Sequence, residues 1–170
     1  AVTGNKELVD KVRMYRDHGR RTKFEYETVG YNARIDNLQA VVVQAKLQKI
    51  DQWLAKKRKI CQRYTEKLKD VVITPKEAPW SYHTYYVYVI EVPKETRDAL
   101  QIFLKDKGIA TNIHYKFPTH TTKAFEKYGQ SLPRTEYVCN NILSLPCYHS
   151  LPEHHQDYIV DAVKEFYEKH

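Results

Sequence analysis

Glycine and cysteine are scarce in this 170-residue sequence, and long apolar runs are missing from it. The five glycines are too few and too scattered to build a glycine-rich phosphate loop. The three cysteines are widely spaced and odd in number, which argues against a disulfide framework and a zinc site and favours a reducing compartment. No apolar stretch approaches the about 18 residues that span a bilayer. We therefore expect neither a membrane protein nor a secreted disulfide scaffold, and no metal site.

The first ten residues, AVTGNKELVD, contain neither an apolar core nor a small-residue cleavage site. A secretory signal peptide is therefore not expected, and together with the cysteine pattern this predicts a cytoplasmic location. The sequence also has no GxSxG, HExxH or CxxC motif, which disfavours the hydrolases, metalloproteases and redox proteins that carry them.

The net charge is +7, from 28 basic and 21 acidic residues. This excess is compatible with nucleic acid, with phosphorylated small molecules or with an acidic protein face. The basic residues are interleaved with acidic ones, and the only dense run, residues 19–23, is short. We therefore expect no nucleic-acid partner. Fourteen tyrosines suit pockets for polar ligands and suit the edges of a core equally well.

The strongest helical signal lies between Asp36 and Asp70, where the chain has no proline and no glycine. Apolar residues recur there at spacings of three and four, which predicts one long helix over residues 36–70. Its first half, LQAVVVQAKL, is apolar nearly all round, so we expect it to be buried on several sides. Cys61 falls on the narrow apolar stripe of the second half and is predicted to be a core residue. Such a helix forms either the spine of a small domain or a subunit contact.

The rest of the pattern predicts an α+β fold. Three strands are expected, at residues 71–74, 83–92 and 109–116, with a further short extended piece at 143–146. Helices are expected at 5–18, 95–107, 121–128, 134–141 and 153–169, the last with Tyr158, Ile159, Val163 and Phe166 on its buried side. About three strands with few crossovers make a small, mostly antiparallel sheet covered by helices. The thin sheet and an opening segment without a core partner favour part of a larger protein.

One candidate site is the turn of residues 30–34, GYNAR, before the long helix. A turn with free N–H groups, the amide of Asn32 and the guanidinium of Arg34 can grip a phosphate at a helix start. The alternative is a capping turn in which Arg34 pairs with Asp36 or Glu27.

A second candidate site is the segment of residues 112–120, NIHYKFPTH. Alternation along a strand places Asn112, His114 and Lys116 on one face. Two imidazoles, a phenol and an ammonium group within nine residues fit a pocket for a polar ligand. An exposed strand edge remains the alternative.

Residues 30–40, GYNARIDNLQA, resemble the motif Gly-(Tyr/Phe)-Asn-x-Arg-(Leu/Ile/Met)-x-x-(Leu/Ile)-Gln-Ala of the DegT/DnrJ family of pyridoxal-phosphate-dependent sugar aminotransferases. Residues 1–8 and 16–19 look like the strand and helix that follow the cofactor lysine in that family. Further matches occur in the family's order at His83, Arg97, Leu100, Gly108, His114, Tyr115, Pro118, His120 and residues 144–146. The resemblance covers essentially the whole chain.

The resemblance implies a fold and a division of the chain. Residues 1–34 would be the end of the coenzyme-binding large domain, and residues 35–170 the C-terminal small domain of a fold-type I enzyme, including the helix 36–70. Family members are longer, and their Schiff-base lysine, their partner for the pyridinium nitrogen and their stacking aromatic precede the region matched here. We therefore expect no catalytic residue in this chain and no activity from the chain alone.

The resemblance also assigns roles to residues at both candidate sites. In family dimers the active site lies between subunits, which implies that Asn32 binds the partner's coenzyme phosphate while Tyr31 and Arg34 shape the same wall. His114 and Tyr115, together with His120, would lie beside the pocket for the sugar nucleotide. The basic residues and tyrosines suit a ligand with a diphosphate and a stacking base.

The function implied is that of the C-terminal portion of an aminotransferase that uses pyridoxal 5'-phosphate. It would act as a homodimer on a nucleotide-linked keto-sugar, with glutamate as the expected amino donor. The alternative is a truncated or degenerate relative that serves as a non-catalytic dimerisation or regulatory module. A third interpretation is a fragment of a related sugar dehydratase, in which histidine replaces the lysine.

Overall fold

The computed structural model describes residues 4–169, so residues 1–3, which are matched to the family's strand, and residue 170 lie outside the described residues. The chain divides into two compact units, Ala1–Lys49 and Ile50–His170. The predicted boundary after residue 34 concerns the complete protein and stays a prediction.

Within its described residues, 4–49, the first unit contains two helices, α1 (Lys6–Tyr15) and α2 (Asn37–Leu47). Helix α1 begins as predicted, because the side chain of Asn5 accepts a hydrogen bond from the N–H of Leu8 at 3.2 Å. Beyond its end, Gly19 has a φ of 77° and its N–H donates to the carbonyl of Met14 at 2.9 Å. The positive φ explains why glycine follows this helix.

The prediction of one continuous helix over residues 36–70 is wrong. Helix α2 ends at Leu47, and α3 (Ile50–Leu68) begins after two intervening residues. There the N–H of Lys49 donates to the carbonyl of Lys46, three residues back, at 3.0 Å. The helical bonding therefore tightens into a 3-10 type of turn. Neither proline nor glycine marks this turn, so the sequence carried no signal for it.

The prediction that the first half of this segment is buried on several sides is also wrong for this chain by itself. None of the side chains of α2 is buried. Leu38 is 84% exposed, Val41 63% and Leu47 62%. The apolar side chains of α2 project from all sides of the helix, and no other part of residues 4–169 covers them.

The second unit combines helices with a small sheet. After α3 come β1 (Tyr88–Glu91), α4 (Lys94–Asp106), 3-10 turns at Thr119–Thr121 and Glu126–Tyr128, α5 (Pro133–Asn141), β2 (Ile142–Leu145) and α6 (Glu153–Lys169). The α+β class is confirmed. The single helix predicted for residues 121–128 is wrong, since two separate 3-10 turns lie in this region.

The sheet is narrower than predicted. β1 and β2 pair in antiparallel fashion, with Tyr88 opposite Leu145. The predicted outer strands are each reduced to an isolated bridge, from Ile73 to Glu91 and from Asn112 to Ser144. The described residues thus contain two strands rather than about three, extended on each side by one bridging residue.

The predicted strand 83–92 is shortened because side chains of α3 bind its first carbonyl groups. Arg58 donates to the carbonyl of His83 at 2.6 Å, and Lys57 donates to that of Tyr86 at 2.9 Å. Tyr85, between them, has a φ of 47°, which no extended strand residue adopts. Regular pairing therefore begins only at Tyr88.

One core fills the second unit, where α3, α4 and α6 pack with the sheet. Its fully buried residues include Cys61, as predicted, together with Tyr64, Leu100 and Phe166. Tyr158 is a correction: it is 49% exposed because its hydroxyl reaches outward to the carbonyl of Lys107 at 3.0 Å.

Within residues 4–169, no helix has both the length and the apolar character needed to cross a membrane.

Candidate functional site

Two glycines allow the chain to return against the end of α1. A Cβ atom on Gly30 would lie 2.1 Å from the nitrogen of Gly19 and 2.7 Å from the carbonyl oxygen of Tyr15. A Cβ atom on Gly19 would lie 1.9 Å from the carbonyl oxygen of Thr28. Only residues without a side chain permit so close an approach. The glycine that opens the GYNAR segment is therefore required by backbone packing.

Main-chain hydrogen bonds then fix the GYNAR segment. The N–H of Tyr31 donates to the carbonyl of Tyr15 at 2.7 Å, and the carbonyl of Tyr31 accepts from the N–H of His18 at 3.0 Å. The N–H of Ala33 donates to the carbonyl of Arg16 at 2.9 Å. The side chains of this segment thus project from a backbone held to the end of α1.

Asn32 and Arg34 are brought together at this position. Nε of Arg34 donates to Oδ1 of Asn32 at 3.3 Å, and Nη1 of Arg34 lies 3.5 Å from Oδ1 of Asp17. Asp17 also accepts from Arg20 at 2.8 Å, and this hydrogen bond holds the pKa of the Asp17 carboxyl below its usual value. Because Arg34 binds the amide oxygen, the NH2 group is the part of Asn32 that an anion would meet.

The capping alternative for this segment is not supported. Arg34 pairs with Asp17 rather than with Asp36 or Glu27, since Glu27 is bound by Arg21 at 2.6 Å. The N-cap of α2 is Asp36, four residues after Asn32. Asn32 is therefore not the cap of this helix. The neighbouring Tyr31 is 72% exposed.

His114 is held at the edge of the sheet by two polar side chains. Its Nδ1 lies 2.9 Å from Oγ of Ser144, and its Nε2 lies 3.3 Å from Nδ2 of Asn112. The N–H of Ile113 donates to Oδ1 of Asn112 at 2.8 Å, which orients the amide so that its NH2 group faces the ring. A neutral imidazole then accepts at Nε2 and donates from Nδ1 to Ser144. Both ring nitrogens are therefore bound, which fixes the orientation of the ring.

A cavity of about 380 Å³ lies beside this histidine. Asn112, His114 and Ser144 line it, together with Tyr86 and Cys147. Polar groups and an aromatic ring thus converge at the sheet edge, so this segment is both a strand edge and the wall of a cavity. Such a combination fits a polar ligand.

Tyr115 and His120 are placed differently. Tyr115 is 69% exposed, with its ring 5.7 Å from that of His114. Nε2 of His120 lies 3.0 Å from Oε1 of Glu136, which also accepts from the N–H of Leu132 at 3.1 Å. The hydrogen bond from His120 has the largest effect on the pKa of Glu136 and lowers it, and the hydrogen bond from Leu132 lowers it further. His120 thus supports the start of α5, and its contact with substrate stays a prediction.

Sequence reasoning missed two residues that position these side chains. Asp17 anchors Arg34, and Ser144 anchors His114. Ser144 is 30 residues from His114 along the chain, and only the pairing between Asn112 and β2 brings them together. A local pattern carries no signal for such a contact. Within residues 4–169, no three His, Cys, Asp or Glu side chains are grouped to hold a metal ion.

Comparison with known proteins decides the family. The family described as DegT/DnrJ/EryC1/StrS aminotransferase matches residues 1–164. The chain belongs to this family. The resemblance drawn from the GYNAR segment is therefore confirmed.

Individual relatives agree with this assignment. A pleiotropic regulatory protein of Geobacillus stearothermophilus is 39% identical, covering 98% of this chain and 46% of the relative. A dTDP-3-amino-3,4,6-trideoxy-alpha-D-glucose transaminase of Micromonospora megalomicea subsp. nigra is 35% identical, and the match covers 96% of this chain and 46% of that relative. The crystal structure of a DegT DnrJ EryC1 StrS aminotransferase from Brucella abortus matches with a TM-score of 0.92 and 33% identity. This match covers 97% of the present chain and 45% of the Brucella chain. The chain thus spans about half the length of these relatives.

Proposed function

We propose that this chain is the C-terminal portion of a pyridoxal-phosphate-dependent aminotransferase that acts on a nucleotide-linked keto-sugar. The observation that carries the proposal is the match of residues 1–164 to an aminotransferase family. The name of the 35% identical transaminase supports an amino sugar linked to a nucleotide as the product class. Glutamate is the proposed amino donor.

The GYNAR segment fits the phosphate group of the coenzyme. Its backbone is fixed by hydrogen bonds, and Arg34 holds the oxygen of Asn32 so that the amide donors remain for an anion. We propose that Asn32 donates to the phosphate bound by a partner subunit, with Tyr31 and Arg34 forming the same wall. When bound, the coenzyme supplies the electron-withdrawing chemistry of amino transfer. This chain contributes binding and orientation.

The cavity beside His114 is the proposed site for the sugar nucleotide. His114, held by Ser144, presents a fixed ring to the cavity, and the exposed phenol of Tyr115 lies next to it. These groups suit hydroxyl and phosphate oxygens. His120 contributes through its support of α5 and, as predicted from the resemblance, by a contact with substrate.

A homodimer is the proposed assembly, in the cytoplasm. The exposed apolar side chains of α2 support it, since contiguous apolar surface on a protein usually marks a contact. The set comprises Leu38, Val41, Val42, Val43 and Leu47.

A non-catalytic regulatory role is the second candidate. One observation favours it: the 39% identical relative is named a pleiotropic regulatory protein. The two candidates differ in whether the complete protein turns over an amino donor.

The experiment uses the complete protein and this chain side by side. With pyridoxal phosphate, glutamate and a nucleotide-linked keto-sugar, the complete protein is expected to release 2-oxoglutarate together with an equal amount of amino sugar. This chain alone is expected to release none above the protein-free rate. Turnover by the chain alone would contradict the proposal, and an inactive complete protein would favour the regulatory role.

A further inference from the structure

Two thiols from distant parts of the sequence meet in the second unit. Sγ of Cys61, on α3, lies 3.2 Å from Sγ of Cys147, two residues after β2. Cys61 is fully buried, and Cys147 is half-buried and lines the cavity beside His114. Both are free thiols, as is Cys139 on α5. The close contact singles out one pair among the three cysteines.

The surroundings of the pair favour a thiolate on Cys147. The hydrogen bond between the two sulfurs lowers the pKa of Cys147 against the opposing effect of burial, whereas the same hydrogen bond and burial both raise the pKa of Cys61. Lys57, on α3, also lowers the pKa of Cys147. Burial raises the pKa of the nearby Tyr64, whose phenol therefore stays neutral and does not oppose the negative charge. The thiolate is the reactive form of cysteine.

We propose that Cys61 and Cys147 form a site of reversible oxidation, at which a peroxide converts the two thiols into an intramolecular disulfide. The more accessible Cys147 reacts first. Its sulfur attacks one peroxide oxygen, the O–O bond breaks, and sulfenic acid and one water form. The sulfur of Cys61 then attacks the sulfenic sulfur, the S–O bond breaks, and the oxygen leaves as a second water with the proton of Cys61. Two thiols and one hydrogen peroxide thus yield one disulfide and two waters.

The geometry requires little movement for this step. A disulfide has an S–S distance of about 2.05 Å, so the two sulfurs must approach by about 1 Å. The buried position of Cys61 beside its partner also favours the intramolecular reaction over a bond to another chain. The bond would fasten the residues after β2, which line the cavity, to α3. The inference goes beyond the proposed function, and formation of the disulfide does not depend on it.

The test is peptide mapping of the protein after treatment with hydrogen peroxide. Remaining thiols are blocked with N-ethylmaleimide before digestion and mass spectrometry. We expect one linked peptide pair that contains Cys61 and Cys147, one remaining free thiol out of three, at Cys139, and full reversal by dithiothreitol. Retention of all three thiols, or bonds through Cys139 or between chains as the main products, would overturn the proposal.

Two variants and one condition serve as controls. Cys139→Ser is the matched control and is expected to form the disulfide as the wild type does. Cys61→Ser is expected to stop at the sulfenic acid of Cys147, trapped by dimedone as an adduct on that residue alone. In urea the preference for this pair is expected to disappear, because it depends on the fold. Equal pairing in native and unfolded protein would contradict the inference, and this comparison remains decisive even where a variant fails to fold.

Discussion

The two units of the chain are stabilised in different ways. In the first, α1 and α2 have no buried side chain, and main-chain hydrogen bonds around Gly19 and Gly30 hold the turn between them. In the second, α3, α4 and α6 enclose an apolar core with the sheet. The comparison shows that apolar periodicity predicts which side chains avoid water. It does not predict whether their packing partner belongs to the same chain. In the second unit the chain supplies that cover itself, whereas on α2 it leaves the apolar side chains exposed.

The largest expected loss of stability comes from truncating a core side chain of the second unit. Leu100 is completely buried, so Leu100→Ala is expected to lower the free energy of unfolding by about 2–5 kcal/mol. Leu38→Ala on α2 makes the same chemical change at a side chain that is 84% exposed, and about 0.5 kcal/mol or less is expected from it.

Urea unfolding followed by far-UV circular dichroism, which reports the helices of both units, is the measurement for both leucine variants. An equal loss of unfolding free energy in the two variants would contradict the view that only the second unit depends on an apolar core.

The next effect concerns the turn of the first unit. Gly30→Ala places a methyl group 2.1 Å from a backbone nitrogen, so we expect a local loss of about 1–3 kcal/mol. Hydrogen exchange at the amides of Tyr31 and Ala33 is expected to accelerate correspondingly, with no change at β1. Gly4→Ala is the matched control, because a Cβ there meets nothing within 4 Å. Unaltered exchange in Gly30→Ala would show that the close backbone approach is not required.

A comparable effect is expected on coenzyme binding rather than on stability. A hydrogen bond to a charged group contributes about 1.5–3 kcal/mol, so Asn32→Ala in the complete protein should raise the dissociation constant for pyridoxal phosphate at least about tenfold. Equilibrium titration measures this change, and thermal unfolding of the same variant is expected to be nearly unchanged. Asn37→Ala, the same change at an exposed asparagine on α2, is the matched control and is expected to leave the dissociation constant unchanged. A lower melting temperature with unchanged affinity would leave Asn32 with a structural role only.

The smallest effect is a pH dependence within the second unit. Hydrogen bonds from Lys107 and Lys169 lower the pKa of Glu165 to about 2. Because the pKa is lower in the folded state, this carboxylate stabilises the fold above the unfolded pKa of about 4.3, and the contribution is lost as the pH falls toward 2. Glu165→Gln should flatten the stability profile in that window, with Glu168→Gln on the same helix as control. Profiles of equal slope would contradict the assignment.

Sequence patterns predicted the fold well wherever one helix face meets the core. Helix α4 at Lys94–Asp106 and α6 at Glu153–Lys169 lie within one residue of their predicted bounds. The sheet was predicted less well, because side chains of α3, rather than a neighbouring strand, bind the carbonyls of His83 and Tyr86. No propensity encodes that competition.

The candidate site shows the same division. The GYNAR segment was recognised from its own residues, and local contacts explain its glycine. The environment of His114 depends on Ser144 and Cys147, which the pairing of Asn112 with β2 brings from a distant part of the chain. Long-range pairing of this kind cannot be read from local periodicity. The exposed face of α2 was expected to be buried for a related reason, since periodicity does not say whether the neighbour lies in the same chain.

Mixed dimers of the complete protein test the central claim most directly, namely that Asn32 serves the coenzyme site of a partner subunit. One subunit carries Asn32→Ala, the other lacks the coenzyme lysine, and the mixed dimer is titrated with pyridoxal phosphate. We predict one site per dimer with wild-type affinity and about half of the wild-type turnover, because one site then combines an intact lysine with an intact Asn32. Weak binding at every site, with no recovery of turnover, would contradict the account.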